Sequence, residues 1–316
     1  MTKGPIENAE EATIVSSLAN ATFGLWFPFF RWIARTLPPV WVARLASATV
    51  EQAVWRRGHV HEAICGNVAQ VLGVPTTDRR VEKTARTMVA RHSRLWIDLL
   101  RCSGRPDIDP AALLAKRVGD EQLAAAHREG TGAILLTAHV GNFELGGLFL
   151  REMGITTYAV YAPDPSPVVE AHRESARRSL GVIGIPVTSS PFASVPILRA
   201  LRSNGFVAMQ GDRDVSGTGR HLPFFGKTAS FPVGPFRLAQ ASGAPLFPVF
   251  VLQEDDGRYS TVVEEPIHVK HVRGSREADE AALTAAMESF VATLTRTIRE
   301  NPTQWYLFTR FWADAA

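Results

Sequence analysis

Apolar residues first recur along the chain at three- and four-residue intervals and later gather into short continuous runs. Between Asp78 and Leu100, the residues Val81, Ala85, Met88, Val89, Leu95, Trp96 and Leu99 fall on one stripe of a 3.6-residue helix. Pro39 opens a similar segment through Val54, and another covers 60–72, so the first 130 residues or so read as helical. At Gly130 the pattern changes. GAILLTAHV is a glycine turn followed by an unbroken apolar run, the mark of a strand covered on both faces, as in a parallel sheet. Helix and strand patterns then alternate: helices at 144–152, 168–180, 195–201 and 234–241, and strands at 157–161, near Val187, at 206–209, 246–252 and 259–263. A long helix over 277–299 closes the series before Pro302. The alternation predicts an α/β fold, a mainly parallel central sheet flanked by helices, with a helical N-terminal region. We divide the chain into an N-terminal membrane-associating helical region, 1–55, and an α/β domain, 56–316.

The start of the chain changes this picture. Residues 1–11 are polar and partly acidic, unlike the positively charged opening of a secretory signal. Residues 12–30 carry no charge and run into LWFPFFRWIAR, but Asn20, two serines, Gly24 and Pro28 dilute the apolar character that a spanning helix needs over about 20 residues. An interfacial helix is expected instead, with Trp26, Phe27, Phe29, Phe30 and Trp32 at headgroup depth and Arg31 and Arg35 at lipid phosphate. A helix packed on the rest of the protein would show the same pattern. Such a helix would hold the chain at a membrane surface, peripherally or with one N-terminal anchor.

Composition narrows the classes. With 46% hydrophobic and 21% charged residues the chain has the makings of an ordinary core, which excludes general disorder. Lys and Arg total 34 against 31 Asp and Glu, in short groups such as Arg56/Arg57 and Arg177/Arg178, which suits anionic headgroups or an acidic carrier protein and not a nucleic-acid groove. Cys65 and Cys102 stand apart without CxxC spacing, so both read as packing residues in a reducing compartment.

Chemistry concentrates after the first buried strand. In HVGNFE, His139 stands just beyond the carboxyl end of that strand, the rim where open α/β sheets bind ligands. Five helical residues turn through about 500°, so His139 and Glu144 could meet only if Gly141-Asn142 form a turn. So placed, His139 could take a proton from an attacking hydroxyl while Glu144 orients the ring. A loop histidine held only by its hydrogen bonds fits the same spacing. Asp212, Arg213 and Asp214 follow a second apolar strand and also lie at a carboxyl end, where a salt-bridged loop is the plainer reading. An acid-x-acid triplet there could hold a divalent cation, so a metal-dependent glycosyltransferase using Asp212 and Asp214 is the rival enzyme, and a non-catalytic lipid-binding protein is the third reading. Gly226-Lys227-Thr228 lacks the earlier glycine of a phosphate loop, since position 221 is His221, and no GxSxG elbow occurs. His59 with His61, and His268 with His271, are expected to lack the company a zinc site needs.

HVGNFE, followed by GDRDVSGTGRHLPFFGKTASFPVGPFRLAQASGAPLFPVFV and then by NPTQWYLFTRFW, resembles the bacterial lysophospholipid-acyltransferase superfamily. The likeness is to its late acyltransferases of lipid A and its phosphatidylinositol mannoside acyltransferases, and spans roughly 56–312. It implies a glycerol-3-phosphate acyltransferase-like sheet, with His139 as general base, Glu144 as its partner and Asp212 as a second acidic group. It further implies Arg177 at the acceptor headgroup, with Arg213, Asn142, Phe224 and Phe225 around the substrate. The implied reaction moves a fatty acyl chain from an acyl carrier protein or coenzyme A thioester to a hydroxyl of a membrane lipid or glycolipid, without metal or other cofactor, because the thioester is already activated.

Overall fold

The described chain opens with α1 (residues 29–36), α2 (Pro39–Arg56), α3 (Gly58–Leu72) and α4 (Arg79–Cys102). The computed structural model describes residues 29–105, 108–164, 166–187, 192–214, 217–272 and 274–312, so most of the expected interfacial segment, including Trp26 and Phe27, lies outside the described residues. Asp78 starts α4 by accepting a hydrogen bond from the Arg80 amide, which satisfies one of the free donors of a helix N-terminus. The α4 stripe, Val81, Ala85, Met88, Val89 and Leu95, packs on Ile64, Cys65, Val68 and Ala69 of α3. Burial of each Val, Leu, Ile or Met among these is worth roughly 1.5–3 kcal/mol before conformational entropy is counted. Val50 and Val54 of α2 join the same cluster, while Ala34 and Val42 meet Ile97 on the next turns of α4.

The rest of the chain runs β1 (Leu114–Val118), α5 (Asp120–Glu129), β2 (Ala133–Thr137), α6 (Gly146–Arg151), β3 (Thr157–Tyr161), α7 (Pro167–Ser179), β4 (Val182–Pro186), α8 (Val195–Arg202) and β5 (Phe206–Gln210). A hairpin of β6 (Arg220–Phe224) and β7 (Lys227–Phe231) follows, then α9 (Gly234–Ser242), β8 (Leu246–Gln253), β9 (Tyr259–Val263) and α10 (Arg276–Glu300). The main sheet has seven strands in the order β1-β9-β8-β2-β5-β3-β4. Its pairings are parallel except between β8 and β9, so the sheet is mainly parallel with helices around it, as the alternation predicts.

Three departures from the expected elements have physical causes. Residues 114–118 fall in the stretch expected to be helical, yet LAKRV is an edge strand with only Leu114 partly covered, so it carries neither an apolar run nor alternation. β4 ends at Pro186, one residue short of the Val187 around which a strand is expected. The β6–β7 hairpin turns on Phe225 and Gly226, whose φ values of 49° and 78° form the two-residue turn that matches strand twist. A Phe at a left-handed position gives little warning of such a turn.

Candidate active site

Parallel register builds the site. β2 and β5 are neighbours with Thr137 opposite Gln210, and two residues beyond these partners stand His139 and Asp212. Asp212 is wholly buried and accepts three hydrogen bonds: from the His139 ring Nδ1 at 2.9 Å, from the His139 backbone amide at 3.0 Å and from the Trp305 indole at 3.1 Å. Burial pushes the Asp212 carboxyl up, but the charge and hydrogen bonds of His139 and the Trp305 donor together outweigh it and hold the carboxyl below its ordinary value. An ionised Asp212 fixes Nδ1 of His139 as the protonated nitrogen, which leaves Nε2 as the acceptor on a ring that is part-exposed.

Trp305 arrives on a strap that follows α10. Its backbone bridges Val140, the Tyr306 amide donates to the His139 carbonyl at 2.7 Å, and the Gly141 amide donates to the Gln304 carbonyl at 2.9 Å. Gly141 has φ 63°, and a Cβ there would come within 2.0 Å of the Val251 carbonyl oxygen, so the turn between His139 and Glu144 requires glycine. Trp305, Phe311 and Trp312 pack with Phe224 and Phe231, which ties the strap to the hairpin. Gln304, Trp305 and Tyr306 are site residues that sequence reasoning does not single out. The block NPTQWYLFTRFW stands out as a whole, but a strap after a helix has no local pattern that points at a loop so far back in the chain.

The other expected site residues divide. Glu144 does not serve as the ring's Nδ1 partner, a correction to the expected pairing: its carboxylate lies 3.8 Å from both the Arg173 and Arg177 guanidinium groups. Arg177 is buried over the Tyr161 ring at 4.2 Å and also pairs with Glu170 at 3.4 Å, so Glu144 belongs to a charge cluster on α7. Arg173 continues this cluster to Asp164 and lines an apolar cavity of about 410 Å³ with Phe30, Trp96, Leu99, Leu100 and Val169.

Asn142, expected against substrate, is buried. Its amide nitrogen donates to the Tyr259 hydroxyl at 3.0 Å, and Tyr259 donates to Asp98 at 2.6 Å. Phe224 is buried in the aromatic cluster, and Phe225 is half-buried at the hairpin turn. Arg213 is exposed on the rim. Asp214 accepts hydrogen bonds from the Gly217 and Gly219 amides and the Ser230 hydroxyl, so it serves the loop into the hairpin. With Asp212 committed to His139 and Trp305, the two carboxylates do not converge on a cation, which removes the basis for the glycosyltransferase reading. The expectation that His61 lacks ligand-type neighbours is also overturned, because Cys65 and Glu82 stand beside it.

A family model described as bacterial lipid A biosynthesis acyltransferase matches residues 14–314. A phosphatidylinositol mannoside acyltransferase of Mycobacterium tuberculosis (strain CDC 1551 / Oshkosh) is 27% identical over 284 residues, covering 89% of this chain and 86% of that protein. One of the same description from Mycolicibacterium smegmatis is 28% identical over 256 residues, covering 79% of each. With the match running over nearly the whole chain and the histidine and buried aspartate lying at the carboxyl edge of its parallel sheet, this chain belongs to the bacterial lipid A biosynthesis acyltransferase family and is an acyltransferase.

Proposed function

We propose that the protein transfers a fatty acyl chain from an acyl carrier protein or coenzyme A thioester to a hydroxyl of a membrane glycolipid, of the lipid A or phosphatidylinositol mannoside kind, at the cytoplasmic face of the inner membrane. The observation that carries the reading is the His139–Asp212 pair at 2.9 Å, with Trp305 on the second carboxylate oxygen. Nε2 of His139 removes the acceptor proton as the hydroxyl oxygen attacks the thioester carbonyl, and Asp212 stabilises the imidazolium that forms. The proton then passes to the leaving thiolate, so acyl group and proton exchange partners with no enzyme nucleophile. Glu144 acts one step removed: with the buried Arg177 it holds Arg173 in place, and the part-exposed Arg173 guanidinium meets an anionic or polyhydroxyl acceptor. The apolar cavity beside Arg173 suits an acyl chain.

The deciding experiment supplies radiolabelled acyl carrier protein and acyl-coenzyme A to total bacterial lipid extracts. Wild type is expected to form labelled glycolipid, and folded His139→Ala to form none. Asp212→Asn should lower kcat roughly 10²–10⁴-fold with KM little changed. Glu144→Gln should act chiefly on the acceptor KM. Equal effects of both substitutions on kcat alone would overturn the division of labour, and wild type that labels nothing from either donor would overturn the reading.

A further inference from the structure

We propose a second site, unrelated to acyl transfer: a divalent-cation site of the zinc class formed by His61, Cys65 and Glu82, which staples α3 to α4. His61 and Cys65 lie one turn apart on α3, and Glu82 faces them from the first turn of α4. The His61 Nε2 is 3.3 Å from the Cys65 sulfur and 3.0 Å from Glu82 Oε2, and the sulfur is 3.9 Å from the same oxygen. Around a tetrahedral zinc, bond lengths of about 2.0–2.3 Å set neighbouring ligand atoms roughly 3.3–3.6 Å apart. The three atoms therefore already outline one face of such a tetrahedron and need to move only by a few tenths of an ångström to close on an ion. Among the described residues this is the one group of three such side chains within ligand reach of each other.

The surroundings favour a cation over a simple hydrogen-bonded knot. Glu82 Oε1 is engaged by the Trp55 indole at 2.9 Å and by Arg86 at 2.7 Å, so the carboxylate is turned with Oε2 toward His61 and Cys65. Outer partners of this kind orient metal-binding carboxylates. Arg86 is balanced in turn by Glu51, which keeps its charge from standing alone beside the site. Trp55 also packs on the His61 ring, with centroids 4.7 Å apart, and limits its rotation. On the open side lies a cavity of about 480 Å³ lined by Asn67, Gln70 and Thr76 among others, through which an ion can enter and a water can fill the fourth position. Nitrogen, sulfur and carboxylate together select zinc-class ions over magnesium or calcium, which prefer oxygen alone. Binding replaces the thiol proton with the ion and releases that proton to solvent, with no change of oxidation state.

The test uses the full chain without a histidine tag, metal-stripped and titrated with Co2+ as a spectroscopic stand-in for Zn2+. Wild type should bind one equivalent, develop the near-ultraviolet charge-transfer band of a cobalt thiolate, and lose it on adding one equivalent of Zn2+. Cys65→Ser should abolish the band and Cys102→Ser should keep it. His61→Ala and Glu82→Gln should each weaken Zn2+ binding at least tenfold. Wild type that gives no thiolate band, or a band that survives Cys65→Ser, overturns the proposal. Because the wild-type titration alone can do so, the outcome does not depend on any variant folding.

Discussion

Asp212 and Glu144 are both acidic residues near one histidine loop, and burial and partners separate their roles. Asp212 has no exposure and spends its lone pairs on His139 and Trp305, whereas Glu144 sits between two arginines. The sequence could place His139 at a strand's carboxyl end, because a glycine turn and an apolar run suffice for that. It could not choose the ring's partner, because that choice depends on β2 and β5 being neighbours in a given register. His92 brings a further residue-scale consequence. Burial, and then the nearby charge of His139, push its imidazole down to about 4, and its Nε2 accepts a hydrogen bond from the Trp96 indole. The unfolded chain therefore takes up this proton from about pH 6.5 downward while the native state resists until about pH 4. Native stability attributable to a neutral His92 is full above that window and is lost as the pH falls through it, by on the order of 3 kcal/mol. Urea unfolding of wild type and His92→Gln at pH 7 and pH 4 checks this. The variant should lose markedly less stability than wild type between the two, and parallel losses would remove His92 as the cause.

At the scale of elements, legibility followed burial. Strands covered on both faces, such as AILLT in β2 and LFPVFVLQ in β8, announce themselves as apolar runs, and the α4 stripe announces its partner face. β1 and the β6–β7 hairpin do not, one because it lies exposed at the sheet edge and the other because its pairing closes over a turn with an unusual Phe. The strap after α10 is the element whose importance least shows in sequence, since it works through backbone hydrogen bonds to residues 139 and 141 and through one indole. Trp305→Phe tests that indole while keeping the aromatic packing. Losing a hydrogen bond to a buried carboxylate should cost roughly 1.5–3 kcal/mol of stability and reduce acyl transfer, with the melting transition still cooperative. Unchanged stability and turnover would mean that His139 alone holds Asp212 in place.

For the molecule as a whole, the helices at its N-terminal side present an apolar surface outward. Phe30, Trp32, Trp41 and Leu45 are 54%, 59%, 66% and 66% exposed, on α1 and α2, and the cavity lined by Phe30 and Trp96 lies beside the same helices. No helix among the described residues is long and apolar enough to cross a membrane. A peripheral attachment through this surface predicts that replacing Trp32 and Trp41 together by Ala will weaken sedimentation with anionic vesicles about tenfold or more, equivalent to at least about 1.4 kcal/mol. Equal partitioning of the variant would send the search for the contact elsewhere. The strap carries one more consequence, in the order of synthesis. Asp212 and Trp305 are 93 residues apart in the chain, so at ordinary translation rates on the order of 5–20 s pass between them. Once β5 has cleared the ribosome, the nascent sheet can pair its histidine and aspartate strands, yet the carboxylate still waits for its indole and the histidine loop for its brace. On the proposed reading, acyl transfer therefore waits for the end of synthesis, and a chain halted before residue 305 would present His139 and Asp212 without the Trp305 donor.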